Sequence, residues 1–350
     1  MTAPKTLVQW GYAAKIESTY GTINAPGVGD GVLLKAVPQV DIPHWLNDGN
    51  RGVTPGGAGR QNAPKSGRWG GYKAIMEGIG FGAAYSAGNK PHGDSLIQSA
   101  GFTSTGAFTG GQENYLYNPA TQPTALTSVT SDVNLSGQLY RLYGAYSDLN
   151  IVAAGPVIPD WNFDIVGIMD FVTDAAIPVY TSYPAMANLP MKADAITATI
   201  GLYTAARVKS FNLKINRNFK NPRVNLANAT TFGHAGFTPG YRNVQLEMVI
   251  ERETETVASP WNAASTLNPY RLAEEANPVL LKLSVGSVQY KRWHIFTGNG
   301  LTAGAPNPAA QAILADVKDT AEGPTATWTL TFDLFASTYG ASDDVSILFN

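Results

Sequence analysis

The chain has 350 residues, 44% hydrophobic and 10% aromatic, enough for a sizeable core in one large domain or two ordinary ones. Only 14% are charged, against roughly 25% in typical soluble domains, so either much of the surface is buried against other subunits or Ser, Thr and Asn clothe a β-rich exterior. A net charge of −2 leaves no basic excess to hold nucleic acid by counterion release, and the absence of cysteine excludes disulfides, thiolate metal sites and thiol nucleophiles.

The opening Met1-Thr2-Ala3-Pro4-Lys5 has no charged segment followed by an apolar one, so no signal peptide is expected. No apolar run approaches the roughly 18 residues of a membrane helix. The expectation is synthesis in the cytoplasm, solubility until assembly and no membrane partner.

Thirty-six Gly and 22 Pro cut the chain into short pieces whose dominant pattern is period two, the mark of strands. A strand is predicted near Leu33 to Pro43, a long polar loop from Asn47 to Gly67, and a strand near Tyr72 to Ile79. Asp94 is placed as the cap of a short helix from Ser95 to Ala100, with Gly101 ending it. Trp161, Phe163 and Ile165 alternate with Asn162 and Asp164. The stretch from Ala175 to Ala193 holds Pro178, Pro184 and Pro190 without strong periodicity and reads as a boundary. Beyond it, Phe211, Leu213 and Ile215 alternate with polar residues in a strand from Lys209 to Asn216. A long loop from Arg217 to Arg242 follows, then a strand from Val244 to Ile250. Asn268 caps a second helix, Pro269 to Ala276, which Asn277-Pro278 ends. Trp328, Leu330, Phe332 and Leu334 form the last clear alternation.

The order of elements repeats at an offset of roughly 170 residues, the self-similarity expected of a duplication. Two similar β domains are therefore expected, residues 1–180 and 181–350, each with one short helix. Residue identity between the halves is low.

The phrase Trp10-Gly11-Tyr12-Ala13-Ala14-Lys15-Ile16-Glu17-Ser18-Thr19-Tyr20-Gly21-Thr22 resembles the opening of many tail tube proteins of long-tailed bacteriophages. These often begin with Lys-x-Glu-(Ser/Thr)-Thr-(aromatic)-Gly-Thr. Leu142-Tyr143-Gly144-Ala145-Tyr146-Ser147-Asp148-Leu149 and the strand from Trp161 to Asp170 resemble a hairpin and closing strand of that family. The chain is about twice the length of the family's small members. The resemblance implies a mainly β fold of β-sandwich domains whose strands close a β-barrel channel across subunits. It implies a structural, non-enzymatic role in the virion tail, with no cofactor. It implies self-assembly into stacked rings that conduct DNA without binding it specifically, alongside tape measure and terminator proteins. Two domains per chain favour rings of three chains with pseudo-sixfold symmetry over hexamers.

The Gly-rich loop from Asn47 to Gly67 lacks the Gly-x-x-x-x-Gly-Lys-Ser/Thr spacing of a phosphate loop. Its Arg51, Arg60 and Lys65 are candidates for contacts between rings or subunits. So are Arg217, Phe219, Lys220, Arg223, Phe232 and Phe237 in the second long loop, since an isolated solvated loop of about 25 residues is unusual. Glu251, Glu253 and Glu255 alternate on one strand face. Either they face a channel, where negative charge keeps a polyanion from sticking, or they lie on a solvated outer face. His44, His92, His234 and His294 lack metal-binding spacing. No Gly-x-Ser-x-Gly elbow is present. Scattered carboxylates offer glycosidase-like pairs only at the rate that chance supplies. Tyr12, Tyr20, Tyr72, Tyr140, Tyr143 and Tyr146, with Trp10 and Trp69, are assigned to core and interface packing rather than to a carbohydrate platform.

Overall fold

A computed structural model describes residues 9–47, 66–121, 126–155, 158–183, 196–217, 219, 221–224, 234–238, 240–252, 262–263, 266–322, 325–338 and 341–350. The fold is mainly β. The strands of the first half are β1 (Trp10–Ile16), β2 (Gln39–Asn47), β3 (Ser66–Glu77), β4 (Phe102–Ala107), β5 (Asn114–Pro119), β6 (Val129–Leu135), β7 (Gln138–Ala154), β8 (Asp160–Met169) and β9 (Thr173–Asp174). After residue 180 come β10 (Ile196–Ile200), β11 (Tyr203–Ala206), β12 (Val208–Asn216), β13 (Asn221–Val224), β14 (His234–Thr238), β15 (Asn243–Glu251), β16 (Asn262–Ala263) and β17 (Thr266–Leu267). The last are β18 (Val279–Val285), β19 (Trp293–Phe296), β20 (Gly300–Thr302), β21 (Ala305–Asn307), β22 (Ala310–Glu322), β23 (Thr325–Leu334) and β24 (Ser346–Phe349). Helix α1 (Asp94–Ser99) lies between β3 and β4, and α2 (Pro269–Glu275) between β17 and β18.

Two antiparallel sheets enclose one core. In the first, the strand order is β2-β3-β8-β7-β12-β15-β23-β22. Strand β6 covers the start of β7, and β1 pairs with β6. In the second, the order is β11-β10-β18-β19-β24-β5-β4. A short pairing of β18 with the start of β22 ties the sheets together. Both sheets contain strands from either side of residue 180. Strand β7 pairs with β12 from Leu149–Ile215 to Ala154–Ser210, and β24 sits between β19 and β5.

The alternations read from the sequence fix which face is buried. Trp161, Phe163 and Ile165 point into the core, as do Leu213, Leu246 and Phe332, while the residues between them face outward. Trp161 stands opposite Met76, and Trp328 opposite Ile250. Ile165 faces Tyr72, which faces Val40; Phe332 faces Leu246, which faces Leu213.

The second helix forms as its caps dictate. The Asn268 side chain accepts from the Arg271 amide at 3.1 Å, Pro269 opens the first turn, and Ala276 ends the helix at φ 48°. The first helix begins one residue earlier than predicted. Gly93 occupies its N-cap at φ 75°, and the Asp94 carboxylate bonds the Tyr117 hydroxyl (2.8 Å) and the Gln98 amide (3.0 Å) instead of capping. The chain opens on a strand that the sequence reading does not predict, β1, and the strand expected near Leu33 to Pro43 lies later, at Gln39–Asn47. The loop expected from Arg217 to Arg242 contains an antiparallel hairpin, β13 with β14. The boundary segment is free of strand as far as residue 183, and Thr181 and Ser182 bond the carbonyls of Val28 and Gly31.

Two buried histidines set the response to acid. Burial drives the pKa of His92 down from 6.5 to about 4, and the Leu33 amide donates to its Nε2 at 2.8 Å, a bond that only the unprotonated nitrogen accepts. Burial does the same to His294, held between Ser284 (2.7 Å) and Asn350 (3.0 Å), with its pKa again at about 4. Each is neutral in the fold and protonates readily once unfolded, so stability is complete above pH 6.5 and is lost as pH falls toward 4. The expected loss is about 3 kcal/mol per histidine, read as the difference between denaturant unfolding at neutral pH and near pH 4. Replacing His92 by Gln, which keeps an acceptor for Leu33, should remove its share of that slope.

Candidate functional site

The outward face of the first sheet is a broad polar surface. Its register groups the polar residues into rows. One row runs Asn162, Asn150, Lys214, Gln245, Asp333 across five strands. Another runs Glu77, Asp160, Val152, Asn212, Glu247, Thr331, Asp316. The carboxylates on this face are Asp41, Glu77, Asp148, Asp160, Asp164, Glu247, Glu251, Asp316 and Asp333; the lysines are Lys73, Lys214 and Lys318. Along these rows the surface is acidic and hydrophilic; its apolar members include Ile75, Val152, Val249 and Ile313, and Trp69, Tyr146, Val166 and Ile168 lie on the same face at one end. A concavity of about 600 Å³ lies on it, between Lys73, Asp148, Asn150, Asn162 and Asp164.

Local ion pairs temper the charge. Lys35 bonds Asp160 at 2.7 Å and Lys318 bonds Asp316 at 2.9 Å. Glu251 accepts from Lys209 at 2.6 Å and Arg207 at 3.2 Å, and these bonds hold its pKa below the usual carboxylate value. Glu253 and Glu255 lie outside the described residues.

The margins of this sheet are the second feature. Among the described residues β2 pairs with β3 alone, leaving its other edge without a strand. On β22, β18 takes only Ala310 and Ala312, so among the described residues the edge from Leu314 to Glu322 has no partner strand. Unpaired edges of this length invite another chain.

Next to the sheet, the N-terminal phrase builds a node. The Glu17 carboxylate is buried and accepts from the amides of Gly21 (2.9 Å) and Gly144 (2.7 Å) and the hydroxyls of Ser128 (2.7 Å) and Thr130 (2.9 Å). This fixes Tyr20, whose ring stacks on Tyr146 at 5.6 Å; Tyr146 stacks on Phe219 at 5.0 Å. The Tyr20 hydroxyl accepts from the Phe237 amide at 2.9 Å, and Phe237 meets Trp69 edge-on at 6.0 Å. Gly236, at φ 94°, leaves room that any side chain would deny to the Tyr20 hydroxyl. The hairpin β13–β14 is thereby docked on the body of the chain.

Of the predicted contact residues, Phe219 and Phe237 are thus buried within this cluster. Arg217 is also buried, at the foot of the hairpin. It donates to the carbonyls of Gly101 (3.3 Å) and Ala120 (3.2 Å), and its amide bonds Asp148 at 2.7 Å. Burial lowers its pKa to about 10, and Arg242 nearby pushes the same way. Arg223 lies on β13, described there through its backbone. Arg51, Arg60, Lys65, Lys220 and Phe232 lie outside the described residues. Sequence reasoning missed Arg242 and Asp344, which join through two contacts of 2.6 Å. Neither periodicity nor spacing signals a pair 102 residues apart.

Among the described residues, no three His, Asp or Glu side chains converge as metal ligands. None of the described helices is long and apolar enough to cross a membrane. In comparisons with known proteins, the family model described as phage tail tube protein matches residues 11–273, well over half of the chain. No curated protein matches it.

Proposed function

The chain belongs to the phage tail tube protein family, and from that premise we propose that it is the subunit of a tail tube, assembling by itself into stacked rings that conduct DNA during ejection. The observation that carries this reading is the strand order of the first sheet. Residues before 180 supply β2-β3-β8-β7, and residues after it supply β12-β15-β23-β22, four strands in matching chain order laid side by side. The shared facing pairs, Trp161–Met76 with Trp328–Ile250 and Tyr72–Val40 with Leu246–Leu213, support a duplication. A head-to-tail array with open ends closes into a ring when copies join around an axis.

Size favours three chains. With eight strands in this order from each chain, three copies would give a barrel of 24 strands. At a spacing of about 4.8 Å and a tilt of about 40°, its backbone circle is about 48 Å across. Six copies would give about 96 Å by the same geometry, far more than one duplex needs. The acidic face turns inward in this arrangement, with Glu251 near the bore; Glu253 and Glu255, outside the described residues, are assigned to the bore with it. Such a wall repels phosphate rather than holding it, which suits a conduit. Arg51, Arg60 and Lys65 connect β2 to β3 as the docked hairpin connects β12 to β15. We assign both connections to the contact between rings, with Arg217, Phe219 and Phe237 anchoring the hairpin and Lys220, Arg223 and Phe232 meeting the neighbour. Tape measure and terminator proteins are the expected partners at the ends of the tube.

Electron microscopy of the purified chain at rising concentration tests this. The expected result is threefold rings and tubes of uniform bore. Particles that remain monomeric at high concentration and beside an initiating tail complex would refute it; capped single rings would instead point to a terminator or decoration protein.

A further inference from the structure

The joint between neighbouring copies has a template inside each chain. Strand β7 is covered by β6 along its first part and by β12 along its second, Leu149 to Ala154. Strand β22 is covered by β18 at its start and, among the described residues, takes no second strand afterwards, from Leu314 to Glu322. Strand β12 has β15 on one side and β7 on the other, whereas β2 has only β3 among the described residues. The open half of β22 and the open edge of β2 are therefore the two halves of a joint already formed once by β7 and β12.

Register transfers through the facing pairs. Ile151 faces Trp161 and Asp319 faces Trp328, so Asp319 holds the place of Ile151. Leu213 and Val40 occupy matching places, each opposite the residue that faces Phe332 or Ile165. Within the chain Leu213 faces Ile151, Lys214 faces Asn150 and Asn212 faces Val152.

Resting on the tube reading above, we infer that β22 of one copy pairs antiparallel with β2 of a second copy, with Asp319 opposite Val40, Lys318 opposite Asp41 and Thr320 opposite Gln39. Charge agrees with this register: it sets a lysine against a carboxylate on the polar face. Lys318 bonds Asp316 of its own strand at 2.9 Å, an exposed contact that exchanges at little cost.

Charge reversal and cross-linking test the register together. Asp41→Lys and Lys318→Asp should each raise the concentration needed for rings about tenfold, since like charges would face one another at every joint. The double variant should return to within about threefold of the parent. The chain has no cysteine, so a Gln39→Cys/Thr320→Cys variant carries the only thiols. Oxidised in assembled form, it should run as a covalent trimer on a non-reducing gel, while Gln39→Cys/Lys318→Cys, out of register by two, should stay monomeric. Rings in which the shifted pair cross-links, or in which the double reversal assembles no better than the single ones, would overturn the register and leave the tube reading standing. Absence of rings from the parent chain would overturn both.

Discussion

Trp161→Ala should lower the free energy of unfolding by about 3–5 kcal/mol. Trp161 is fully buried on β8 and reaches across to the second sheet. Its ring meets Trp293 of β19 edge-on at 5.2 Å and Phe349 of β24 at 5.9 Å. Gly78 packs so closely that an added Cβ would stand 2.5 Å from the Trp161 indole nitrogen. Few neighbours can move into the space an alanine would leave, and the cavity term then adds to the lost transfer energy. Trp161→Phe should cost much less, because the indole N–H has no hydrogen-bond partner among the described residues and nothing polar is orphaned by its loss. Denaturant titration of both variants checks this. A loss below about 1 kcal/mol for the alanine variant would mean that the two sheets are not held together at this point.

Asp344→Asn should be nearly as costly, about 3–5 kcal/mol, although it changes almost no volume. Asp344 is buried and holds Arg242 through two short bonds. Arg217 lies close enough for Arg242 to depress its pKa, while Asp344 and Asp148 oppose that shift. Neutralising Asp344 leaves two guanidinium groups in the interior with Asp148 as the remaining counter-charge. The loss should persist in molar salt, because buried charges are poorly screened. Replacing the pair together, Arg242→Met with Asp344→Leu, should recover much of it, since a buried ion pair is seldom worth more than an apolar pair of similar size. Failure of the double variant to recover would assign Asp344 a further duty toward Arg217.

The features legible in the sequence are those whose cause is local. Asn268-Pro269 made α2 visible because capping depends on three adjacent residues. The four clear alternations made β8, β12, β15 and β23 visible because each buries one face against the same core. Strand β22 is illegible: Ala310, Ala312, Asp316, Lys318 and Thr320 show little contrast, since it pairs with β23 on one side and, among the described residues, has no partner strand along much of the other. The hairpin from Asn221 to Thr238 has no local signature, because it is held by Tyr20, about two hundred residues away. The N-terminal phrase was noticed as a likeness, yet the four bonds to Glu17 that explain it come from segments brought together only by folding. The acidic face was half legible: alternation put Glu251 on an outer surface, and only the register showed how many carboxylates join it.

Strand β24 carries a consequence for timing. Its residues are wholly buried between β19 and β5, so β5 lacks a neighbour on that side until residue 349 has left the ribosome. At a translation speed of about 5–20 residues per second, that wait is on the order of 10–45 s. The nascent chain therefore holds an unfinished second sheet until residue 349 emerges, long after β4 and β5 have been synthesised.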